Sequence, residues 1–149
     1  MTHTGQIREI IGHKGGRVWT ISPEATVFEA IQMMADKNVG ALLAMAEGKL
    51  RGVITERDYT RKVAIKGKSS RETSVGEILS TPVISASPAH TVEECMRLMT
   101  THRVRHLPVL EREVVVGIVS IGDLVNWIIS AQSMTITQLE SYIAGQYPG

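Results

Sequence analysis

Apolar residues recur at helical spacing in two segments, each of which follows a Ser-Pro dipeptide. Thr26 and Thr91 stand at the start of these segments, and Glu29 and Glu94 follow three positions later, which is the capping-box pattern of a helix N-terminus. The sequence therefore predicts one amphipathic helix from Thr26 and another from Thr91. The apolar positions on their predicted inner faces are Val27, Ala30, Ile31 and Met34 in the first, and Val92, Cys95, Met96 and Met99 in the second.

Short apolar runs on both sides of each predicted helix indicate strands. The expected strands are Val18–Ile21, Ala41–Met45 and Leu50–Ile54 in the first half, and Val83–Ser85, Leu107–Leu110 and Val114–Val119 in the second. Glu47-Gly48 and Glu111–Glu113 are expected to join the last two strands of each half. A second helix is expected to start at Thr55 and at Ser120. Each half thus predicts the order β-α-β-β-α, which places the chain in the α+β class.

The two halves are copies of one unit. SPEATV starts at Ser22 and SPAHTV at Ser87, and the same offset of 65 residues relates GVITERD (Gly52–Asp58) to GIVSIGD (Gly117–Asp123). No gap is needed between Ser22 and Thr60. A copy of roughly 45 residues buries too little surface to be stable alone. We therefore expect the two copies to share one core.

The patterns divide the chain into five parts: an N-terminal segment (1–17), a first repeat (18–65), a linker (66–82), a second repeat (83–130) and a C-terminal helix and tail (131–149). In the linker, Ser74 and Glu77 predict a capped short helix through Leu79. TITQLESYIAG predicts a terminal amphipathic helix that ends near Gly145. The glycine-rich GHKGG at 12–16 is interpreted as a flexible turn before the first strand.

Charge and composition exclude several classes of protein. The 149 residues carry 16 basic and 15 acidic side chains, a net charge of +1, which gives no support to a broad nucleic-acid surface. The single cysteine, Cys95, excludes an intrachain disulfide and is expected to be a buried core thiol. No signal-peptide region and no apolar run of about 20 residues is present. We expect a soluble, cytoplasmic protein that does not contact a membrane.

The sequence contains no recognisable catalytic set. Its five histidines lack the HExxH spacing, and GxSxG, GxxxxGK[ST] and GxGxxG are absent. We therefore expect no metal site, no catalytic cofactor and no enzymatic activity. A nucleotide-acting enzyme is the less favoured alternative.

GVITERD and GIVSIGD resemble the signature G-h-h-S/T-x-x-D of cystathionine β-synthase (CBS) domains, in which h is hydrophobic. The preceding GALLAM and RHLPVL are also similar to CBS motifs, and the resemblance covers about Val18 to Trp127. It implies two repeats paired by a pseudo-two-fold into one module with two clefts. It also implies a regulatory ligand (AMP, ADP or ATP, in some members NAD or S-adenosylmethionine), a homodimer and a regulated protein partner of unknown identity. A structural dimerisation domain without ligand is the alternative.

The signature residues themselves allow two interpretations that are compatible with each other. Thr55 and Ser120 can cap a helix, and Asp58 and Asp123 favour its positive end. The same geometry can bind a nucleotide, because a helix N-terminus attracts phosphate and a carboxylate accepts hydrogen bonds from ribose hydroxyls. Glycine in the preceding strand is expected to leave room for the close approach of a ligand.

The resemblance implies that the signature of one repeat shares a cleft with the first strands of the other. One cleft would join Thr55, Arg57 and Asp58 to Thr81, Val83, Val104, Arg105 and His106. The other would join Ser120 and Asp123 to Gly16, Val18, Val39, Gly40 and Ala41. Thr20 and Pro108 complete the candidate nucleotide-binding residues.

The two clefts are expected to differ in charge. Gly122 stands in the second repeat where Arg57 stands in the first, and Gly40 stands where Arg105 does. Because arginine binds phosphate through paired, charge-assisted hydrogen bonds, the Asp58 cleft is expected to be the stronger phosphate site. Solvated positions before a strand are the alternative for Arg105 and His106.

Overall fold

A computed structural model of the chain describes residues 5–79 and 82–130. The chain forms two compact units, Val18–Val83 and Met1–Arg17 together with Ile84–Gly149, here called the first-repeat unit and the second-repeat unit. The α+β class is confirmed, since each unit combines helices with an antiparallel hairpin. The N-terminal segment belongs to the second-repeat unit, although it precedes the first repeat in the sequence. The predicted C-terminal helix lies outside the described residues.

The first-repeat unit contains a three-stranded sheet covered by helices. Its elements are β1 (Thr20–Ile21), α2 (Val27–Lys37), β2 (Ala41–Ala46), β3 (Lys49–Thr55), α3 (Glu56–Tyr59), a π-helical turn (Thr60–Ala64) and α4 (Val75–Ile78). The strand order is β1-β2-β3, with β1 parallel and β3 antiparallel to β2. The predicted strands, the helix from Thr26 and the short linker helix are present. Val27, Ala30 and Met34 lie in the core, as their spacing predicts.

The second-repeat unit has the same hairpin between two helices. Its elements are α1 (Ile7–Lys14), α5 (Val92–His102), β4 (His106–Glu111), β5 (Val114–Ser120) and α6 (Ile121–Ser130). Cys95 is buried in its core, as predicted. Burial is the main reason that the pKa of this thiol is raised to about 12, and the neighbouring Glu94 carboxylate contributes to the same shift.

The strand predicted at Val83–Ser85 is wrong. These residues form no strand, and the only pairing in this stretch is a parallel bridge between Ala86 and Val109. Ala86 donates its N–H to the Pro108 carbonyl (2.9 Å) and accepts from the Leu110 N–H (2.8 Å). Pro82 and Pro88 lack an amide hydrogen. They stand on both sides of Val83–Ser85, and regular pairing does not extend beyond Ala86.

Capping boxes set the start of the two long core helices. Thr26 Oγ1 accepts from the Glu29 N–H (3.1 Å), and Glu29 Oε1 accepts from the Thr26 N–H (3.0 Å). Thr91 and Glu94 repeat this arrangement at the start of α5. Hydrogen bonds lower the pKa of both glutamates. The bond from the threonine backbone N–H has the larger effect, and the bond with the threonine side chain has the smaller. The helix starts predicted from sequence are therefore confirmed.

The N-terminal segment differs from its interpretation as a turn. Gly12–Lys14 form the last turn of α1, whose Ile7 and Ile10 are buried in the second-repeat core. Ile7 donates its N–H to the His90 carbonyl (2.9 Å), which fixes α1 against the start of α5. Burial of isoleucines at helical spacing stabilises this helix despite the glycine within it. No helix of the described residues is long and apolar enough to cross a membrane.

Candidate functional site

The first signature lies where β3 passes into α3. Thr55 is the last residue of the strand and the N-cap of the helix. Asp58 Oδ2 accepts from the Thr55 N–H (2.9 Å) and from the Thr55 hydroxyl (3.0 Å), and the Asp58 N–H donates to Thr55 Oγ1 (3.1 Å). The hydroxyl and the carboxylate are therefore held together at the N-terminus of α3.

A lysine contacts the other oxygen of this carboxylate. Lys62 Nζ lies 3.3 Å from Asp58 Oδ1 and donates to the Ile78 carbonyl (2.9 Å). Lys62 lies within the π-helical turn, a kind of distortion that often marks functional sites. The structure pairs Lys62 with the signature carboxylate.

The second signature repeats this geometry with a lysine from another element. Asp123 Oδ2 accepts from the Ser120 N–H (2.8 Å), and the Asp123 N–H donates to Ser120 Oγ (3.1 Å). Lys14 at the end of α1 reaches the same Oδ2 at 2.6 Å and also donates to the Ile118 carbonyl (3.0 Å). Sequence analysis missed Lys14, because it lies in no motif and its role depends on where α1 packs.

Both signature aspartates are partly buried. Their side chains are 17% exposed at Asp58 and 25% exposed at Asp123, which is partial burial. Arg57, one residue before Asp58, is exposed, and the equivalent residue before Asp123 is the exposed Gly122. The two sites thus share the capped carboxylate and differ in neighbouring charge.

The glycine of each signature makes room for a side chain of the same unit. This corrects the expectation that it leaves room for a ligand. A Cβ on Gly52 would lie 3.2 Å from Leu79 Cβ, next to α4. A Cβ on Gly117 would lie 2.5 Å from Ile11 Cδ1, on α1. In both units the glycine therefore allows a neighbouring side chain to pack closely on the strand.

The structure brings several other candidate residues next to the signature of their own repeat. Ala41 pairs with Thr55 in the sheet, and the Gly40 carbonyl accepts from the Glu56 N–H (3.2 Å). Likewise His106 pairs with Ser120, and the Arg105 carbonyl accepts from the Ile121 N–H (3.0 Å). The grouping of residues from different repeats into shared clefts stays a prediction.

The remaining candidates occupy strands and the segments before them. Val39 and Val104 precede β2 and β4, and both donate an N–H to a methionine carbonyl of the preceding helix (3.0 Å in each case). The exposed Gly16 approaches β5 so closely that a Cβ would lie 2.9 Å from the Val116 carbonyl oxygen. Thr81 lies outside the described residues. The others are Thr20 in β1, the buried Pro108 in β4, and Val18 and Val83 outside the strands.

Within residues 5–79 and 82–130, no group of three or more histidine, cysteine, aspartate or glutamate side chains could hold a metal ion. The Asp58 carboxylate contacts Thr55 and Lys62, and the Asp123 carboxylate contacts Ser120 and Lys14. The arrangement suits the binding of a neutral donor, such as a hydroxyl, at a carboxylate.

Each of the two repeats thus carries a capped carboxylate at the start of a helix. The profile of the CBS domain matches residues 7–65 and 75–130. The chain belongs to the CBS-domain family.

The relatives of the chain are also CBS-domain proteins. It is 38% identical over 138 residues to the Arabidopsis thaliana CBS domain-containing protein CBSX3, mitochondrial, and this match covers 89% of the chain and 66% of the relative. The crystal structure of CBS domain NE2398 superimposes with a TM-score of 0.81 at 44% identity, covering 85% of the chain and 99% of that structure. Because the plant relative is named as mitochondrial, the predicted cytoplasmic location stays a prediction.

A more distant structure was determined with adenosine compounds. The CBS domain pair of protein MJ0100, in complex with 5′-methylthioadenosine and S-adenosyl-L-methionine, has a TM-score of 0.74 at 24% identity, covering 85% of the chain and 98% of that structure. At this identity the likeness concerns the fold.

Proposed function

We propose that this CBS module is a sensor that binds an adenine nucleotide at Asp58 and Asp123. AMP or ATP is the favoured ligand, and NAD is the next candidate. The observation that carries the proposal is the repeated signature geometry, in which a half-buried carboxylate is fixed beside a hydroxyl at a helix start in both units. The bound nucleotide is a regulatory ligand and takes part in no reaction.

The chemistry of the signature favours a ribose. An ionised carboxylate accepts hydrogen bonds at two oxygens, and the neighbouring 2′- and 3′-hydroxyls of a ribose offer two donors at matching spacing. The positive end of the helix dipole at the start of α6, together with the adjacent Ser120 hydroxyl, favours an anion such as phosphate. The nucleoside and phosphate parts of a nucleotide thus have separate partners in one signature.

The Asp58 site is proposed to bind phosphate more strongly than the Asp123 site. Arg57 is exposed one residue before Asp58, and Gly122 in the second signature provides no side chain. A guanidinium group forms two parallel hydrogen bonds to phosphate. ATP should therefore distinguish the two sites more than adenosine does.

A sensor needs two states that bind the ligand with different affinity. We propose that the nucleotide changes the assembly of a homodimer or its docking to a regulated protein. The ligand-dependent change in mass, followed by light scattering during size-exclusion chromatography, tests the first of these outputs.

A thermal-shift screen identifies the ligand. The compounds are AMP, ADP, ATP, NAD, NADH, S-adenosylmethionine and 5′-methylthioadenosine, with guanosine nucleotides as controls. A ligand at 100 times its Kd stabilises each site by about 2.7 kcal/mol. For a chain of this size we expect a rise in Tm of roughly 5–10 °C. No shift with any adenine compound would contradict the proposal and favour a structural dimerisation domain.

A further inference from the structure

The lysines at the two signature carboxylates have different origins. Lys62 lies three residues after the end of α3 and four residues after Asp58, so it belongs to the same helical segment. Lys14 belongs to α1 and lies 109 residues from Asp123 in sequence. The first carboxylate is therefore paired with a lysine of its own helical segment, which also contacts α4 at Ile78, and the second is paired with a lysine from the N-terminal helix.

One carboxylate oxygen of Asp123, Oδ2, already accepts two hydrogen bonds. Oδ2 accepts from the Ser120 N–H (2.8 Å) and from Lys14 Nζ (2.6 Å). A carboxylate oxygen offers about two lone-pair sites, and these two donors fill them. A ribose diol that binds through both hydroxyls needs one acceptor site on each oxygen. Lys14 therefore competes with such a diol for Oδ2. At Asp58 the second donor to Oδ2 is the Thr55 hydroxyl, which can rotate to another acceptor.

The last turn of α1 has no fully buried side chain, although Ile11 packs against Gly117 and Lys14 also donates to the Ile118 carbonyl (3.0 Å). Ile7 and Ile10, in its first half, are buried in the core. In the second half, His13 packs edge-on against Trp127 at 5.7 Å between ring centroids, and Lys14 contacts Asp123. The Lys14 side chain is 35% exposed, and an ion pair of that exposure is weak enough to be displaced.

We infer that Lys14 competes with the ligand for Asp123, so that nucleotide binding at the second signature releases the last turn of α1. This inference rests on the proposed function, and it names α1 as the element that reports occupancy of this site. Because coupling between two binding events is reciprocal, removal of the Lys14 ammonium strengthens ligand binding at Asp123.

The test isolates the second site by using the Asp58→Ala background. Titration calorimetry with AMP is compared between this protein and the same protein carrying Lys14→Met, which keeps the alkyl stem and removes the charge. Arg8→Met is the matched control, because it removes one exposed positive charge from the same helix and its guanidinium contacts Gln6. We expect Lys14→Met to lower the Kd for AMP about two- to five-fold, with no change for Arg8→Met.

Hydrogen exchange provides a second readout in the Asp58→Ala protein. Saturating AMP is expected to speed exchange of the amides in the last turn of α1, including Gly15, which donates to the Ile11 carbonyl at 2.8 Å. The amides of α2, in the other unit, serve as the reference and are expected to keep their rates.

The outcomes separate the inference from the proposed function. If AMP binds and Lys14→Met leaves its Kd unchanged or raises it, Lys14 does not compete and the inference is wrong, while the proposed function stands. If AMP binds only after Lys14→Met, both are supported. If AMP binds neither protein, and no adenine compound binds the unmodified chain, both are wrong.

Discussion

At the scale of single residues, capping and ligand binding use the same atoms in different ways. Glu29 and Glu94 close capping boxes with long side chains at exposed positions. Asp58 and Asp123 close equivalent boxes with shorter side chains that are partly buried and contact lysine. The hydrogen bonds of a cap alone therefore do not identify a binding residue. Partial burial and a contact with lysine distinguish the two aspartates from the capping glutamates.

The capping glutamates predict a dependence of stability on pH. Hydrogen bonds from the N-cap residues Thr26, Ser74 and Thr91 lower the pKa of Glu29, Glu77 and Glu94 below the ordinary value of 4.5. A carboxylate whose pKa is lower in the folded state stabilises it above pH 4.5, and this contribution is lost as the pH falls through the folded-state value.

Replacement of the three glutamates by glutamine removes this titration and keeps the shape of the side chains. Urea unfolding from neutral pH to below pH 4.5 should show a smaller loss of stability in the triple variant than in the original chain. An equal loss in both proteins would show that the caps do not contribute to the acid sensitivity.

At the scale of elements, the sequence predicted the parts whose stability is local. Short apolar runs and the polar segments between them located both hairpins. Positive φ occurs in each turn, at Glu47 and Gly48 in the first and at Arg112 and Glu113 in the second. The strand at Val83–Ser85 was wrong, because an apolar run does not reveal whether its backbone groups find a partner.

The two valines of the second hairpin test how burial determines stability. Val109 in β4 is fully buried, and Val114 in β5 is 62% exposed. Val109→Ala should lower the free energy of unfolding by about 1.5–3 kcal/mol, because it removes buried apolar surface. Val114→Ala, the matched control, should change it by about 0.5 kcal/mol or less. Denaturant unfolding of the two variants measures the difference, and equal losses would contradict the burial of β4.

At the scale of the whole molecule, the sequence repeat does not coincide with the compact units. The repeat predicted two equivalent copies, but α1 joins the unit of the second copy and α4 joins that of the first. These helices occupy similar places, since the His90 carbonyl accepts from the Ile7 N–H (2.9 Å) much as the Ala25 carbonyl accepts from the Val75 N–H (2.8 Å). Gln6 and Glu9 carry a capping pattern that could have revealed α1.

The position of α1 in the second-repeat unit also explains why the candidate site was only partly predictable from the sequence. Thr55, Asp58, Ser120 and Asp123 were found because their motif is local and repeated. Lys14 could not be found, since its contact with Asp123 spans 109 residues and exists only because isoleucines of α1 pack into the second-repeat core. A contact between residues so far apart in the chain produces no regular spacing of residue types in the sequence.

The most direct test of the account is titration calorimetry of the chain with the adenine nucleotide found by the screen, repeated with the double variant Asp58→Ala/Asp123→Ala. Asp36→Ala, which removes an exposed aspartate outside both signatures, is the control. We expect saturable binding by the original chain and by the control, and none by the double variant once circular dichroism has shown it to be folded. Unchanged affinity in the folded double variant would contradict the claim that these two carboxylates hold the ligand.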